Sequence, residues 1–256
     1  SHQFGRAAFL RVGGTVQRQV GDHLGVGGLD LPERGVSSRT AEDTLRVSLF
    51  AGRDAKLFNH LRAWLRLASS ETVPVSNAPA ILVSGAFNAG GAQRRGSRER
   101  SDWAVEDDLD LAVGIHAMRL GAAFEQQTLA SAEWFNDGGT FYFSSEQGFV
   151  QGLPVLFTIR RGDPTLRYGL RRGAAYFQDD MRLRDAVTLG CGVRWEWQTA
   201  IAGRWYPTPR FRVSWTPTRA RSTAIKGGLG WYNDWVEAEL IGQVQSVDGE
   251  HQSDLL

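Results

Sequence analysis

Apolar and polar residues alternate along most of this chain. Between Ala186 and Trp197, Val187, Leu189, Cys191, Val193, Trp195 and Trp197 share one parity, while Thr188, Gly190, Gly192, Arg194 and Glu196 share the other. Successive side chains leave a β-strand on opposite faces, so a period of two predicts a strand. One of its faces is wholly apolar and ends in two tryptophans; the other sets glycines beside charges. The pattern recurs. Thr44–Phe50 places Leu45, Val47 and Leu49 against Arg46 and Ser48, and Leu57–Leu67 places Leu57, Leu61, Ala63, Leu65 and Leu67 against His60, Arg62 and Arg66. Pro209–Thr216 places Phe211, Val213 and Trp215 against Arg210, Arg212 and Ser214, and Thr223–Tyr232 places Ile225, Leu229 and Trp231 against Lys226, Gly228 and Gly230.

Two all-β architectures read this way. A large soluble sandwich buries its apolar faces in a common core. An antiparallel up-and-down transmembrane β-barrel turns them to lipid, keeps a wet lumen inside and sets tryptophans at the bilayer interface. The connections sort into two kinds, as in a barrel of the outer membrane. Long polar stretches lie at Gly21–Ala41, Asn88–Glu99, Gln126–Gly138 and Thr199–Thr208, and short turns near Arg53–Lys56, Gly114–Ala117, Arg184–Ala186 and Pro217–Arg221. The expected path runs up through Met118–Gln126, down through Thr140–Ser144, up through Pro154–Arg160 and down through Tyr168–Arg182. It continues up through Val187–Trp197, down through Arg210–Thr216 and up through Ile225–Trp231. Gln147–Pro154 is expected as a short helical or irregular link at the tight-turn end. No linker or low-complexity tract divides the chain, so 1–256 reads as one domain.

Composition sharpens this picture only in places. The 256 residues carry a net charge of +1, which points to no acidic partner or nucleic acid. Nine Trp against 2 Met suit interfacial belts, and 30 Gly argue against helical bundles. Cys191 is the single cysteine, so an internal disulfide and a thiolate zinc cluster are excluded. No apolar run reaches the length of a spanning helix, and no charged n-region with an h-region opens the chain. A mean hydropathy of −0.30 does not oppose a barrel, whose strands satisfy one another's backbone groups.

Candidate chemistry is thin. Glu106, Asp107, Asp108 and Asp110 form an acidic run without the glycine and closing glutamate of a calcium loop, and read as a solvated or lumenal strand. Asp179 and Asp180 precede a tight turn, where pairing with Arg182 or Arg194 is expected. The five histidines show no metal-ligand spacing, and His116 reads as a turn residue. No nucleophile elbow, P-loop or dinucleotide fingerprint occurs, so no catalytic residue, metal or cofactor is expected and the chain does not read as an enzyme. Gln93–Arg100, with Arg94 and Arg95, is the densest charge cluster. As an outward loop it would either be solvated or meet the phosphates of lipopolysaccharide.

The segment GLRRGAAYFQDDMRLRDAVTLGCGVRWEW resembles a motif of TonB-dependent outer-membrane receptors. The matching positions are Tyr176, Gln178, Asp179, Asp180, Arg182, Leu189, Gly192, Val193, Arg194 and Glu196, with Met181 where the family usually has Trp. The next hairpin resembles the family at Pro209, Arg210, Gly228, Gly230, Tyr232 and Asp234. Upstream, Gly114, Ile115, His116, Gly121 and Phe124, then Gly139, Thr140, Phe141, Phe143 and Gly152, are also similar. The resemblance covers about Leu45 to Trp235 (45–235) and points to the Oar-like subgroup.

The resemblance implies about 10–12 strands of a larger barrel that in the family has 22, located in the outer membrane of a Gram-negative bacterium. It implies uptake of a ligand into the periplasm, energised by the TonB complex through a plug domain. This chain shows neither plug nor TonB box and ends in Ser253-Asp254-Leu255-Leu256, so it is expected to be a fragment of such a barrel. Arg194, Glu196, Arg210, Arg212 and Lys226 would face the lumen; Trp134, Phe135, Arg94 and Arg95 would meet ligand in extracellular loops. Expected partners are outer-membrane lipid, lipopolysaccharide and an unidentified transported ligand, with no nucleic acid. The alternatives are a soluble β-sandwich carbohydrate-binding module stacking sugars on Trp195, Trp197, Trp205 and Trp231, and a plug-free porin.

Overall fold

The computed structural model describes residues 2–4, 7–53, 56–199, 206–217, 223–246 and 252–255. The centres of three expected connections (54–55, 200–205 with Trp205, and 218–221), and the terminal Leu256, lie outside the described residues. The elements in chain order are β1 (His2–Phe4), β2 (Ala8–Leu24), β3 (Val36–Arg53), β4 (Leu57–Pro74), β5 (Ala80–Val83), β6 (Phe87–Ala89), β7 (Arg94–Val113) and β8 (His116–Phe135). They continue as β9 (Thr140–Phe143), α1 (Glu146–Val150), β10 (Leu156–Gly162), β11 (Thr165–Arg184), β12 (Val187–Gln198), β13 (Tyr206–Trp215), β14 (Ile225–Gly230), α2 (Ala238–Ser246) and β15 (Gln252–Leu255). Among the described residues no helix is long and apolar enough to cross a membrane, which says nothing about crossing by strands.

Ten strands form one sheet in the order β1-β2-β3-β4-β7-β8-β11-β12-β13-β14, every neighbouring pair antiparallel. This is the expected up-and-down wall, and it is not closed: β1 and β14 are its two edges. Register fixes two faces. Cross-strand partners such as Leu45↔Leu65↔Trp103 and Phe177↔Val193 share the apolar face. Among the described residues nothing packs over that face as a second layer, and Val12 (52% exposed), Leu229 (62%) and Phe211 (53%) stand open on it. A soluble sandwich would bury them against a partner sheet, so that alternative fails.

The apolar face has a definite height. From the tight turns upward, Trp103–Val113 and His116–Phe124 are about ten residues each, the number that crosses a bilayer. Trp103 and Phe124 mark the upper limit with ring centroids 5.2 Å apart, and Trp197 continues the row at 6.2 Å from Phe124. Yet β7, β8 and β11 have 20 residues each. The upper halves of β7 and β8 are stretches whose polarity predicted loops. Most of Asn88–Glu99 and Gln126–Gly138, and the two ends of Gly21–Ala41, are therefore strand, because paired strands keep their ladder beyond the apolar zone where both faces are polar.

The true connections at that end build a cap. Thr140–Ser144 and Pro154–Arg160 do not join the wall as expected. As β9 and β10 they enter a five-stranded sheet, β15-β10-β9-β5-β6, in which β5 and β9 run parallel. Ala80, Val83 and Phe143 are buried at its core, and Phe149 of α1 meets Phe143 and Phe87 edge-on at 5.4 and 5.2 Å. The expected helical link is thus real (Ser145 Oγ accepts from Gly148 N at 3.2 Å) but belongs to the cap end. The β2–β3 connection docks on β6: Leu31 N donates to Asn88 O at 2.9 Å and Asn88 N to Leu29 O at 2.7 Å.

Candidate functional site: the charged face of the wall

The face opposite the apolar band carries a connected polar network. Arg62 of β4 donates to Glu106 and Asp108 of β7 at 2.9 and 2.6 Å. Arg119 makes a bidentate pair with Asp110 at 2.5 and 2.8 Å. Arg194 donates to Glu196 at 2.6 Å, and its guanidinium lies 5.6 Å from the Tyr176 ring centre. Arg212 Nε donates to Asp180 Oδ1 at 2.8 Å, with a second bond from Nη2 to Oδ2.

Glycines make these contacts possible. Arg212 (β13) and Asp180 (β11) are not on neighbouring strands; Gly190 of β12 lies between them in register. A Cβ at Gly190 would meet both partners, so the arginine crosses β12 only because no side chain stands there. Tyr176 of β11 likewise crosses Gly121 of β8, and its hydroxyl donates a hydrogen bond to Asp108 of β7. Arg210 sits opposite Gly192 and Gly230 and places its guanidinium 4.6 Å from the Tyr232 ring centre. The glycine-and-charge parity of the sequence thus lets long side chains lie flat across the sheet. Together they line a trough of about 970 Å³ bounded by Arg62, Arg119, Tyr176, Arg194, Arg210 and Arg212.

Toward the cap the same face is covered by the chain's own segment after β14. Tyr168 Oη donates to Ala238 O at 2.6 Å, Arg172 Nη2 to Val236 O at 3.1 Å, and Val236 N to Gln198 Oε1 at 3.2 Å. Trp235 stacks on Arg172 at 5.4 Å, and β15 then pairs with β10, where Arg160 holds Asp254 at 2.7 and 2.9 Å.

Of the residues singled out in the sequence, Arg194, Glu196, Arg210, Arg212 and Lys226 all lie on the charged face. The first four belong to or adjoin the trough, while Lys226 stands apart, opposite Ser214 near the tight turns. Trp134, Phe135, Arg94 and Arg95 are not loop residues. They are paired strand ends, Arg94↔Phe135 and Arg95↔Trp134, with Arg95 4.9 Å from the Trp134 ring centre and bonded to Asp137 at 2.6 Å. The arginine cluster is largely neutralised in place, since Arg98 pairs with Glu133 and Arg100 with Asp102. The aspartate pair also differs from expectation. Asp180 holds Arg212, and Asp179, on the opposite face, holds His116 Nδ1 at 2.6 Å; neither partner is Arg182 or Arg194. His116 is the first residue of β8, not a turn residue. The acidic run splits by parity: Glu106, Asp108 and Asp110 join the network, while Asp107 faces the other way and accepts from Asn59 at 2.8 Å. Arg62, Arg119 and Tyr176 were not singled out as site residues. Parity placed Arg62 correctly, but their partners depend on register between distant strands.

A family model described as "Outer membrane beta barrel domain" matches residues 51–206. Among solved structures, the chain is similar to BauA, the ferric preacinetobactin receptor from Acinetobacter baumannii, at 12% identity and a TM-score of 0.51. That likeness covers 84% of this chain and 36% of the receptor, and it concerns the fold. No curated protein matches. The match to the family model spans more than half of the chain and extends from the end of β3 to the start of β13. The two-faced wall agrees with it, and with a place in the outer membrane: the chain belongs to the outer membrane beta-barrel domain family.

Proposed function

We propose that this chain forms part of the wall of a TonB-dependent receptor of the Oar-like group, which takes up a ligand into the periplasm. The observation that carries the reading is the division of one sheet into an apolar band of bilayer height and a charged face with a trough. In this reading the apolar face meets lipid, the charged face lines the lumen, and the cap stands outside the cell. Arg194, Glu196, Arg210, Arg212 and Lys226 then lie along the passage, with Trp134, Phe135, Arg94 and Arg95 at its outer rim. The motif around Tyr176–Glu196 and the fold likeness to a ferric receptor support TonB as the energy source, and the work done is transport rather than catalysis. The two sheet edges need partners, because backbone groups facing lipid unpaired are costly; further wall strands would supply them.

The test is accumulation of labelled iron chelates, cobalamin, glycans and peptides by cells expressing the full-length protein. Uptake should require both the protein and the proton-motive force. Uptake that survives a protonophore would instead point to a porin, and its absence for every class would reject the transport reading.

A further inference from the structure

From the row of Trp103, Gln126 and Arg171 upward, charges enter the apolar face of the wall, and they are distributed unevenly. On the β2–β3 side Arg18 is neutralised by a bidentate pair with Asp43 at 2.6 and 2.8 Å. On β11, Arg167 and Arg171 point the same way. Their register partners on β8 are Ala130 and Gln126, and both arginines are exposed. Among the described residues neither has an ion-pair partner. In the row of Arg167 the first carboxylate on this face is Glu99, two strands away beyond Ala130.

The position is as telling as the charge. Two residues below Arg171 on the same face is Gly173, and the Trp197 indole lies over it, where a Cβ would collide. Trp197 belongs to the aromatic row that marks the bilayer interface. Arg171, in register with Gln126 and Trp103, therefore stands at the upper limit of the apolar zone and Arg167 four residues beyond it, spanning the level of lipid headgroups. Four residues of strand separate them, about 13 Å. Thr128, opposite Gly169, adds a hydroxyl between them. An arginine fork binds phosphate with two parallel hydrogen bonds, and two forks at this spacing suit two phosphates carried on one saccharide.

We propose that Arg167 and Arg171 bind the bis-phosphorylated saccharide headgroup of lipopolysaccharide in the outer leaflet. The proposal rests on the orientation given above, with the cap outside the cell.

The test uses the full-length protein in detergent and a fluorescent bis-phosphorylated lipid A. Arg167→Ala and Arg171→Ala should each weaken binding about fivefold, the effect of one arginine beside an anionic lipid surface. Arg18→Ala, on the same face but paired, should leave it unchanged, and monophosphoryl lipid A should bind the wild type more weakly. Heat-modifiable migration on gels monitors folding, and Arg→Lys variants at both sites, expected to retain partial binding, keep the test decisive if the alanine forms misfold. Equal binding by wild type and the folded double variant would overturn the proposal. So would inorganic phosphate displacing the lipid at equal concentration, which would make this a simple anion site. Orientation is read separately from an Arg95→Cys variant in intact cells. Labelling there together with unchanged lipid binding defeats this site alone; no labelling defeats the orientation, and the site with it.

Discussion

The crossing of Tyr176 over Gly121 is the sharpest point at which to test the wall's construction. A Cβ at position 121 would fall on the Tyr176 ring, so Gly121→Val must drive that ring away from its place against β8. Displacement breaks the hydroxyl bond to Asp108. A hydrogen bond to a charged group contributes about 1.5 to 3 kcal/mol. Arg62 still holds Asp108 at 2.6 Å, so the stranded carboxylate keeps a partner and the lower end applies. Lost ring contacts add about 1 kcal/mol, which puts the expected loss for Gly121→Val at about 2 to 3 kcal/mol. Tyr176→Phe removes only the hydroxyl and should cost about 1.5 kcal/mol. With Tyr176→Ala the obstruction is gone, so Gly121→Val should then be nearly neutral, because glycine weakens a strand interior. The predicted coupling of about 2 kcal/mol or more is measurable by a double-mutant cycle. Urea unfolding of the full-length protein in micelles, followed by the fluorescence of its tryptophans, supplies the four free energies. Equal costs for Gly121→Val in both backgrounds would refute the crossing.

Other predictions concern the faces, the topology and the cap. Val193→Arg, on the apolar face opposite Phe177, should cost about 2 to 4 kcal/mol near mid-bilayer, whereas spin labels reporting water at both 193 and 194 would sink the assignment of faces. With Cys191 replaced by Ser, an impermeant maleimide should label Arg95→Cys but not Asp185→Cys in intact cells; the reverse pattern inverts the topology. Expressed alone, the chain should need detergent, since its sheet has two open edges and an uncovered apolar band, and a soluble cooperative monomer would contradict the barrel. Asp254 is held below the ordinary carboxylate range by the Arg160 hydrogen bond. The pair therefore stabilises β15 docking above the ordinary carboxylate pKa and loses that contribution as pH falls through the lowered value. Hydrogen exchange at Ser253–Leu255 should rise only in strong acid, but already at neutral pH in Arg160→Ala.

Parity was the legible part of the sequence. Because side chains alternate strictly, Leu189, Val193 and Phe211 could be set against Arg194 and Arg212 with no knowledge of neighbouring strands. Tight turns were legible for a similar reason, since Gly114 and Arg184–Ala186 interrupt the alternation locally. Failures came where polarity stopped distinguishing strand from loop. Above the aromatic row both faces are wet, so Arg94–Ser101 and Gln126–Phe135 carry no apolar stripe although their backbones stay in the ladder. Thr140–Phe143 failed in the opposite way: it alternates like a wall strand, but it lies between β10 and β5, the latter a parallel neighbour from another excursion. The network failed at pairing. That Asp180 reaches Arg212 over Gly190, and that Asp179 finds His116 across the sheet, depends on the registers of β11 with β12 and β8, which no local pattern encodes.

The parallel pairing of β5 with β9 also bears on how the wall assembles. β5 leaves the wall between β4 and β7, and β9 leaves it between β8 and β11. The two meet only when the β7–β8 hairpin has brought both departure points to one height. A slip of one residue in that hairpin would exchange its faces and carry the departure points apart. Closure of the cap thus rewards correct register late, after the hairpins have formed, and makes this small sheet a checkpoint on the kinetics of a much larger one.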